Sequence, residues 1–194
     1  MTDTCADFES LRRAVQTAGW RRIGIDGIHG AGKSYLAEQL SLALGYPVLD
    51  LDDYLYRNQG GYVDFIDYPA LSGALSSMPA FILCGACLQE VLANLSATLD
   101  GNIYIKRMRN GQWMDEDECV FPDGVDAAIE NLARNSAVLS DLFDETPDQL
   151  GQVMEDSLPL LSGEIMRYHD TYAPHETADL VFERDDHAGQ VPAG

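Results

Sequence analysis

The chain has 194 residues, 46% of them hydrophobic, enough for one hydrophobic core in a soluble globular protein. Its 32 acidic and 12 basic residues leave a net charge of -20, a surface that repels nucleic-acid backbones and anionic membranes, so neither is an expected partner. Apolar runs such as AFILCGACL fall far short of the ~20 residues that span a bilayer, and the opening MTDTCADFESLRR has no apolar signal segment, so a cytoplasmic location is the expectation.

In chain order, residues 3–18 carry Phe8, Leu11, Val15 and Ala18 at helical spacing, with Gly19 as a stop. Residues 21–26 predict a strand, 34–44 a helix closed by Gly45, and 47–50 a second strand running into the acidic turn LDLDDYLYR. An irregular loop over 58–67 precedes a short helix over 69–76. The continuous apolar run at 80–84 predicts a strand buried on both faces, followed by a helix over 88–99 and a fourth strand over 103–106. A polar excursion over 107–122 contains DEDE, read as a solvated face. Then come a helix over 125–143 capped by Asp123, a helix over 147–169 interrupted at Pro159, and a last strand over 179–182. Strands alternating with helices imply a three-layer α/β/α fold around a mostly five-stranded parallel sheet. The expectation is a single domain over 1–184, its first 19 residues an N-terminal helix and 107–122 a lid or excursion, with a flexible tail at 185–194.

Cys84 and Cys87 form a C-x-x-C pair, which raises redox or half-zinc chemistry, but no matching ligand pair is evident in the sequence. They are expected to be small buried hydrophobes. His169 and His175 do not have the spacing of a helical metal pair and are read as structural.

The segment RRIGIDGIHGAGKS fits the phosphate-loop pattern G-x-x-x-x-G-K-[ST], with Gly27, Gly32, Lys33 and Ser34 in place between a predicted strand and a predicted helix. In such a loop successive backbone N–H groups surround a β-phosphate, and the following helix points its N-terminus at the same anion. Gly27, His29, Gly30, Ala31, Gly32, Lys33, Ser34 and Tyr35 are therefore the expected nucleotide-binding residues. Lys33 would reach the β- and γ-phosphates, and Ser34 would ligate Mg²⁺. ATP and Mg²⁺ are the expected cofactors. The N-K-x-D element of switch GTPases is absent, no later apolar strand ends in the carboxylate of a motor ATPase, and no ABC-type signature is present. Phosphoryl transfer to a small-molecule acceptor is what these absences leave.

The acidic turn supports that. Asp50, Asp52 and Asp53 follow the second strand, on the sheet edge where doubly wound folds bind ligands. A kinase needs a carboxylate to accept the acceptor's hydroxyl proton, and Mg²⁺ takes one or two carboxylates. Asp52 is the candidate base and metal ligand, with Asp53 and Tyr54 on the substrate side. Tyr54, Tyr56, Tyr62, Phe65 and Tyr68 would stack on a base or pack, packing being expected for most.

In their order the segments IGIDGIHGAGKSYLAEQLS, PVLDLDDYLYR, DFIDYPAL, NIYIKRMRNGQW and YAPHETADLVFER resemble the uridine kinase-like branch of the P-loop kinases over roughly residues 21–184. The resemblance implies a P-loop NTPase fold, an ATP-dependent nucleoside or other hydroxyl kinase, Asp52 as the base, and Arg107 and Arg109 as lid arginines. The family's third strand ends in Glu-Gly, whose Glu helps hold the metal, whereas this chain has Cys84-Gly85. A thiolate suits Mg²⁺ poorly, so either Asp52 or Asp53 would carry the metal, directly or through water, or catalysis is weakened. An ATP-binding regulator with degenerate catalysis and a kinase for a non-nucleoside acceptor are the rival readings. A homodimer is left open.

Overall fold

A computed structural model describes residues 3–56, 61–142 and 149–185, with the side chains of 135–142 and 149–160 aside. In chain order the elements are β1 Asp3–Cys5, α1 Phe8–Ala18, β2 Arg22–Asp26, α2 Lys33–Leu44, β3 Val48–Asp50, α3 Tyr68–Ser77, β4 Phe81–Cys84, α4 Leu88–Leu95, β5 Gly101–Arg109, β6 Gln112–Trp113, α5 Val125–Leu142, α6 Gln149–Tyr172, α7 Pro174–Thr177 and β7 Leu180–Asp185. Short 3₁₀ turns at Leu51–Tyr54, Val63–Phe65 and Glu116–Glu118 lie between them.

The sheet order is β1-β7-β5-β2-β4-β3, every neighbour parallel, with β6 antiparallel on the far end of β5. The expected five strands are present, and two more extend them. Strand β1 pairs Asp3 with Leu180 and Cys5 with Phe182. Three residues are too few to show a period, so the amphipathic pattern of α1 hid it. The β5–β6 hairpin turns at Asn110-Gly111, both with positive φ of 52° and 77°, the conformation that a tight primed turn demands and that Asn-Gly supplies. That dipeptide was the available signal, and it makes β5 nine residues long where four were expected.

Each sheet face has its own core. Leu11 and Val15 of α1 and Leu36, Ala37 and Leu40 of α2 pack on Ile23, Ile25, Ile82, Ile103 and Ile105. On the other face Leu71 and Leu75 of α3, Leu88, Val91 and Leu92 of α4, and Ile165 and Tyr168 of α6 pack on Phe81 and Leu83. Strand β4 is buried at all four residues, as a parallel strand covered on both sides must be. Asp7 starts α1 by accepting the Ser10 N–H at 2.9 Å, and Gly19 ends it in the left-handed conformation.

Three boundaries differ from expectation. Helix α4 stops at Leu95, where Ser96 turns left-handed, and not at residue 99. Helix α6 continues through Pro159 to Tyr172, since a proline removes one backbone donor without having to end a helix. Strand β7 includes Asp185, and the rest of the tail expected at 185–194 lies outside the described residues. No described helix is long and apolar enough to cross a membrane.

Candidate active site

The centre of the site is the loop that joins β2 to α2. Strand β2 lies between β4 and β5, the chain filling one side of it with β3 and β4 before crossing to β5 on the other, and a crevice opens above its carboxyl end. Gly32 opens α2 with φ 95° and ψ 26°, a left-handed geometry that disfavours any side chain. A Cβ there would also collide with the Arg184 guanidinium. Lys33 folds back over the loop, and its Nζ donates to the carbonyls of Gly27 at 2.9 Å and Ile28 at 2.8 Å. Burial lowers the Lys33 pKa, opposed by the charges of Asp26, Asp52 and Asp50. Ala31 is buried in the core, whereas His29, Gly30, Ser34 and Tyr35 are exposed at the loop and the first turn of α2.

The adjacent strand ends supply carboxylates. Asp50, the last residue of β3, accepts the Ser34 hydroxyl at 2.8 Å through Oδ2 and the Asp52 N–H at 3.1 Å through Oδ1. In register beside it on β4 is Cys84, fully buried, its thiol pushed up to about 12 by burial and then by Asp50. Cys84 therefore stays a neutral thiol, and the oxygen pair Ser34–Asp50 is the hard donor set beside the loop. Asp52 is one turn further on, its Oδ1 accepting the Tyr62 hydroxyl at 2.7 Å. The structure thus puts Asp50, and not Asp52, on Ser34. Asp53 is exposed on the same 3₁₀ turn.

The aromatic cluster is mainly packing. Tyr62 is buried, Tyr54 and Tyr68 are partly buried against the core, and the Tyr56 hydroxyl binds Asp67 at 2.8 Å. Cys84 and Cys87 are buried free thiols. Among the described residues no three His, Cys, Asp or Glu side chains group as a metal cluster.

Of the DEDE run, Glu116, Asp117 and Glu118 are exposed as expected, and Asp115 departs from expectation. Asp115 is 2% exposed and receives the Arg107 guanidinium, Nε lying 3.0 Å from both carboxylate oxygens. The β5–β6 hairpin folds the chain back so that residue 115 meets residue 107, and a buried carboxylate requires such a partner. Arg107 therefore braces the hairpin, while Arg109 is at the exposed end of β5. His169 is buried too. Its Nδ1 lies 2.8 Å from the Ile165 carbonyl and its Nε2 2.8 Å from the Tyr104 hydroxyl, while burial depresses its pKa to about 4.

Asp26, Tyr168, Glu164 and Arg184 were missed in the sequence because they meet residues distant along the chain. Asp26 ends β2, buried, accepting the Gly27 N–H at 2.7 Å and the Tyr168 hydroxyl. Burial raises its pKa to about 6 against those hydrogen bonds and the Lys33 charge. Glu164 accepts the N–H groups of Tyr62 and Val63, both at 2.8 Å. Arg184 lies over Gly32. A cavity of about 560 Å³ opens at Val63, next in the chain to Tyr62, lined by Asp64, Glu90, Glu164, Arg167 and Tyr168 among others.

A parallel sheet in this order, with the glycine loop on its central strand and helices on both faces, is the three-layer α/β/α fold of P-loop NTPases. No family model matches the chain. It is 30% identical over 100 residues to a shikimate kinase of Bacillus cytotoxicus, covering 52% of this chain. The matched stretch is 58% of that relative's length. A structure described as a "Possible Uridine Kinase" from Bacillus stearothermophilus superposes with a TM-score of 0.53 at 16% identity, covering 91% of this chain and 97% of its own. A shikimate kinase from Bacteroides thetaiotaomicron superposes with a TM-score of 0.40 at 14% identity, over 84% and 86%.

Proposed function

We propose that the protein transfers the terminal phosphoryl group of ATP to a hydroxyl of a small metabolite. The observation that carries this is the convergence of Lys33, the Ser34–Asp50 oxygen pair and the Asp52 carboxylate at one end of the sheet. In this reading the loop amides from Gly27 to Lys33 cradle the phosphates, and Lys33 leaves its two carbonyls to face the transferred group. Ser34 and Asp50 would hold Mg²⁺, which when bound offsets phosphate charge. Asp52, fixed by the Tyr62 hydroxyl, orients the acceptor hydroxyl and takes its proton. The Asp50 carboxylate stands in for the Glu that Cys84 replaces, which favours catalysis over a purely regulatory role.

A nucleoside is the first choice of acceptor, and the cavity at Val63 supports a neutral one. Three carboxylates, Asp64, Glu90 and Glu164, line it against one cation, Arg167, which is itself paired with Asp126 at 2.7 Å, an acidic balance that disfavours anions. The similarity to a shikimate kinase offers the competing class, a cyclic hydroxy acid. ADP release from Mg²⁺-ATP, measured with nucleosides and neutral polyols against cyclic hydroxy acids, tests the choice. Turnover with neutral acceptors at least tenfold above the anionic ones is expected, and the reverse order would overturn it.

A further inference from the structure

Helix α6 touches both halves of the site with side chains four residues apart, which share one helix face. Tyr168 is 1% exposed and gives its hydroxyl proton to Asp26, whose other oxygen holds Gly27 N–H, the first amide of the phosphate loop. The same hydroxyl oxygen accepts the N–H of Gln89 at 3.2 Å, fixing it against α4. One turn earlier, Glu164 binds the consecutive N–H groups of Tyr62 and Val63 with one oxygen each. Tyr62 in turn holds Asp52. A continuous path of hydrogen bonds and one helical turn thus runs Gly27–Asp26–Tyr168–Glu164–Tyr62–Asp52.

We infer that Glu164 and Tyr168 are positioning residues through which nucleotide on the phosphate loop orders the acceptor-side carboxylate. This rests on the proposed roles of the loop and Asp52. Phosphate binding restricts the loop amides, Gly27 included, and so restricts Asp26. Tyr168 is enclosed and held from two sides, so it follows Asp26 and not solvent. The helix carries the restriction to Glu164, whose two charge-assisted bonds are the clamp on the Tyr62 backbone. Coupling of this kind requires no new contact, only that one ligand order what the next must find ordered. The catalytic carboxylate is then set when the phosphate donor is in place.

The test uses the full chain with Mg²⁺-ADP as the probe, comparing wild type, Tyr168→Phe and Glu164→Gln. Amide hydrogen exchange of the segment containing Tyr62 and Val63 is read with and without saturating Mg²⁺-ADP, and ADP affinity is read by calorimetry. In the wild type Mg²⁺-ADP slows exchange there by about fivefold or more, the lower range of measured couplings. In Tyr168→Phe, whose ring still fills the core, the exchange of the free protein stays near wild type but the ADP-dependent slowing disappears. In Glu164→Gln exchange is fast with and without ADP, and ADP still binds within about threefold of wild type. A purely structural role predicts faster exchange in the variants with the ADP-dependent ratio unchanged, and that result overturns the inference. ADP that binds the wild type without slowing this segment overturns it too, leaving the kinase reading intact. ADP that does not bind the wild type overturns both.

Discussion

Asp52 and Asp50 are two residues apart and have different partners. The Tyr62 hydroxyl holds Asp52, while the Ser34 hydroxyl holds Asp50 beside the glycine loop. Asp52→Asn keeps an oxygen for Tyr62 and the same shape, so it removes only the proton acceptor. Its turnover should fall by about 10²–10⁴ with Mg²⁺-ADP affinity within about twofold of wild type, and a variant with full turnover would remove Asp52 from the chemistry. Lys33, Ser34 and Asp52 are readable in the sequence because motif and turn lie in contiguous stretches. Asp26, Glu164 and Tyr168 are not, since a hydrogen bond between residues 26 and 168 leaves no trace in local pattern. Asp115 misled for the same reason: its four-carboxylate run reads as surface, and only the hairpin reveals that it faces Arg107.

At the scale of elements, the β2–loop–α2 unit carries the site and was legible almost to the residue. Glycines, lysine and flanking apolar periodicity all specify the same local geometry. Gly32 shows how tightly. Alanine there would hold a left-handed conformation costing roughly 1–2 kcal/mol, and its methyl would displace Arg184 from the loop. Gly32→Ala should lower Tm by roughly 2–8 °C, from about 2–4 °C per kcal/mol in a chain of this size, and weaken Mg²⁺-ADP binding at least tenfold. Unchanged Tm and affinity would show that neither the backbone angle nor the Arg184 contact matters. The elements that escaped prediction are those set by pairing. Strand β1 exists because β7 offers an edge, and the far half of β5 because Asn110-Gly111 folds β6 back onto it.

Across the whole molecule, a net charge of -20 sits around a phosphate-binding loop whose cations are Lys33 and Arg184. One buried carboxylate ties stability to pH. The folded-state pKa of Asp26, about 6, exceeds the ordinary 3.8, so between those values the folded chain binds more protons than the unfolded one. Its favourable contribution is complete below about pH 4 and is lost as pH rises through about 6. His169 acts oppositely, its depressed pKa making acid destabilising below about 6.5, but it is common to wild type and variant. The stability of Asp26→Asn relative to wild type should therefore rise between pH 4 and pH 7 by up to about 3 kcal/mol, because each tenfold difference in proton affinity between folded and unfolded chain is worth about 1.4 kcal/mol. A difference that does not change with pH would mean Asp26 titrates normally in the fold.

The central claim is phosphoryl transfer, and the most direct measurement follows the phosphate itself. Wild-type protein and Lys33→Ala are incubated with Mg²⁺-ATP labelled in its terminal phosphate and with each nucleoside, neutral polyol and cyclic hydroxy acid in turn, and label in the acceptor is counted. Label should appear in an acceptor with wild type and be absent with Lys33→Ala. Tight ADP binding by the wild type with no label in any nucleoside, neutral polyol or cyclic hydroxy acid would contradict the kinase assignment and leave a nucleotide-binding protein that does not transfer phosphate.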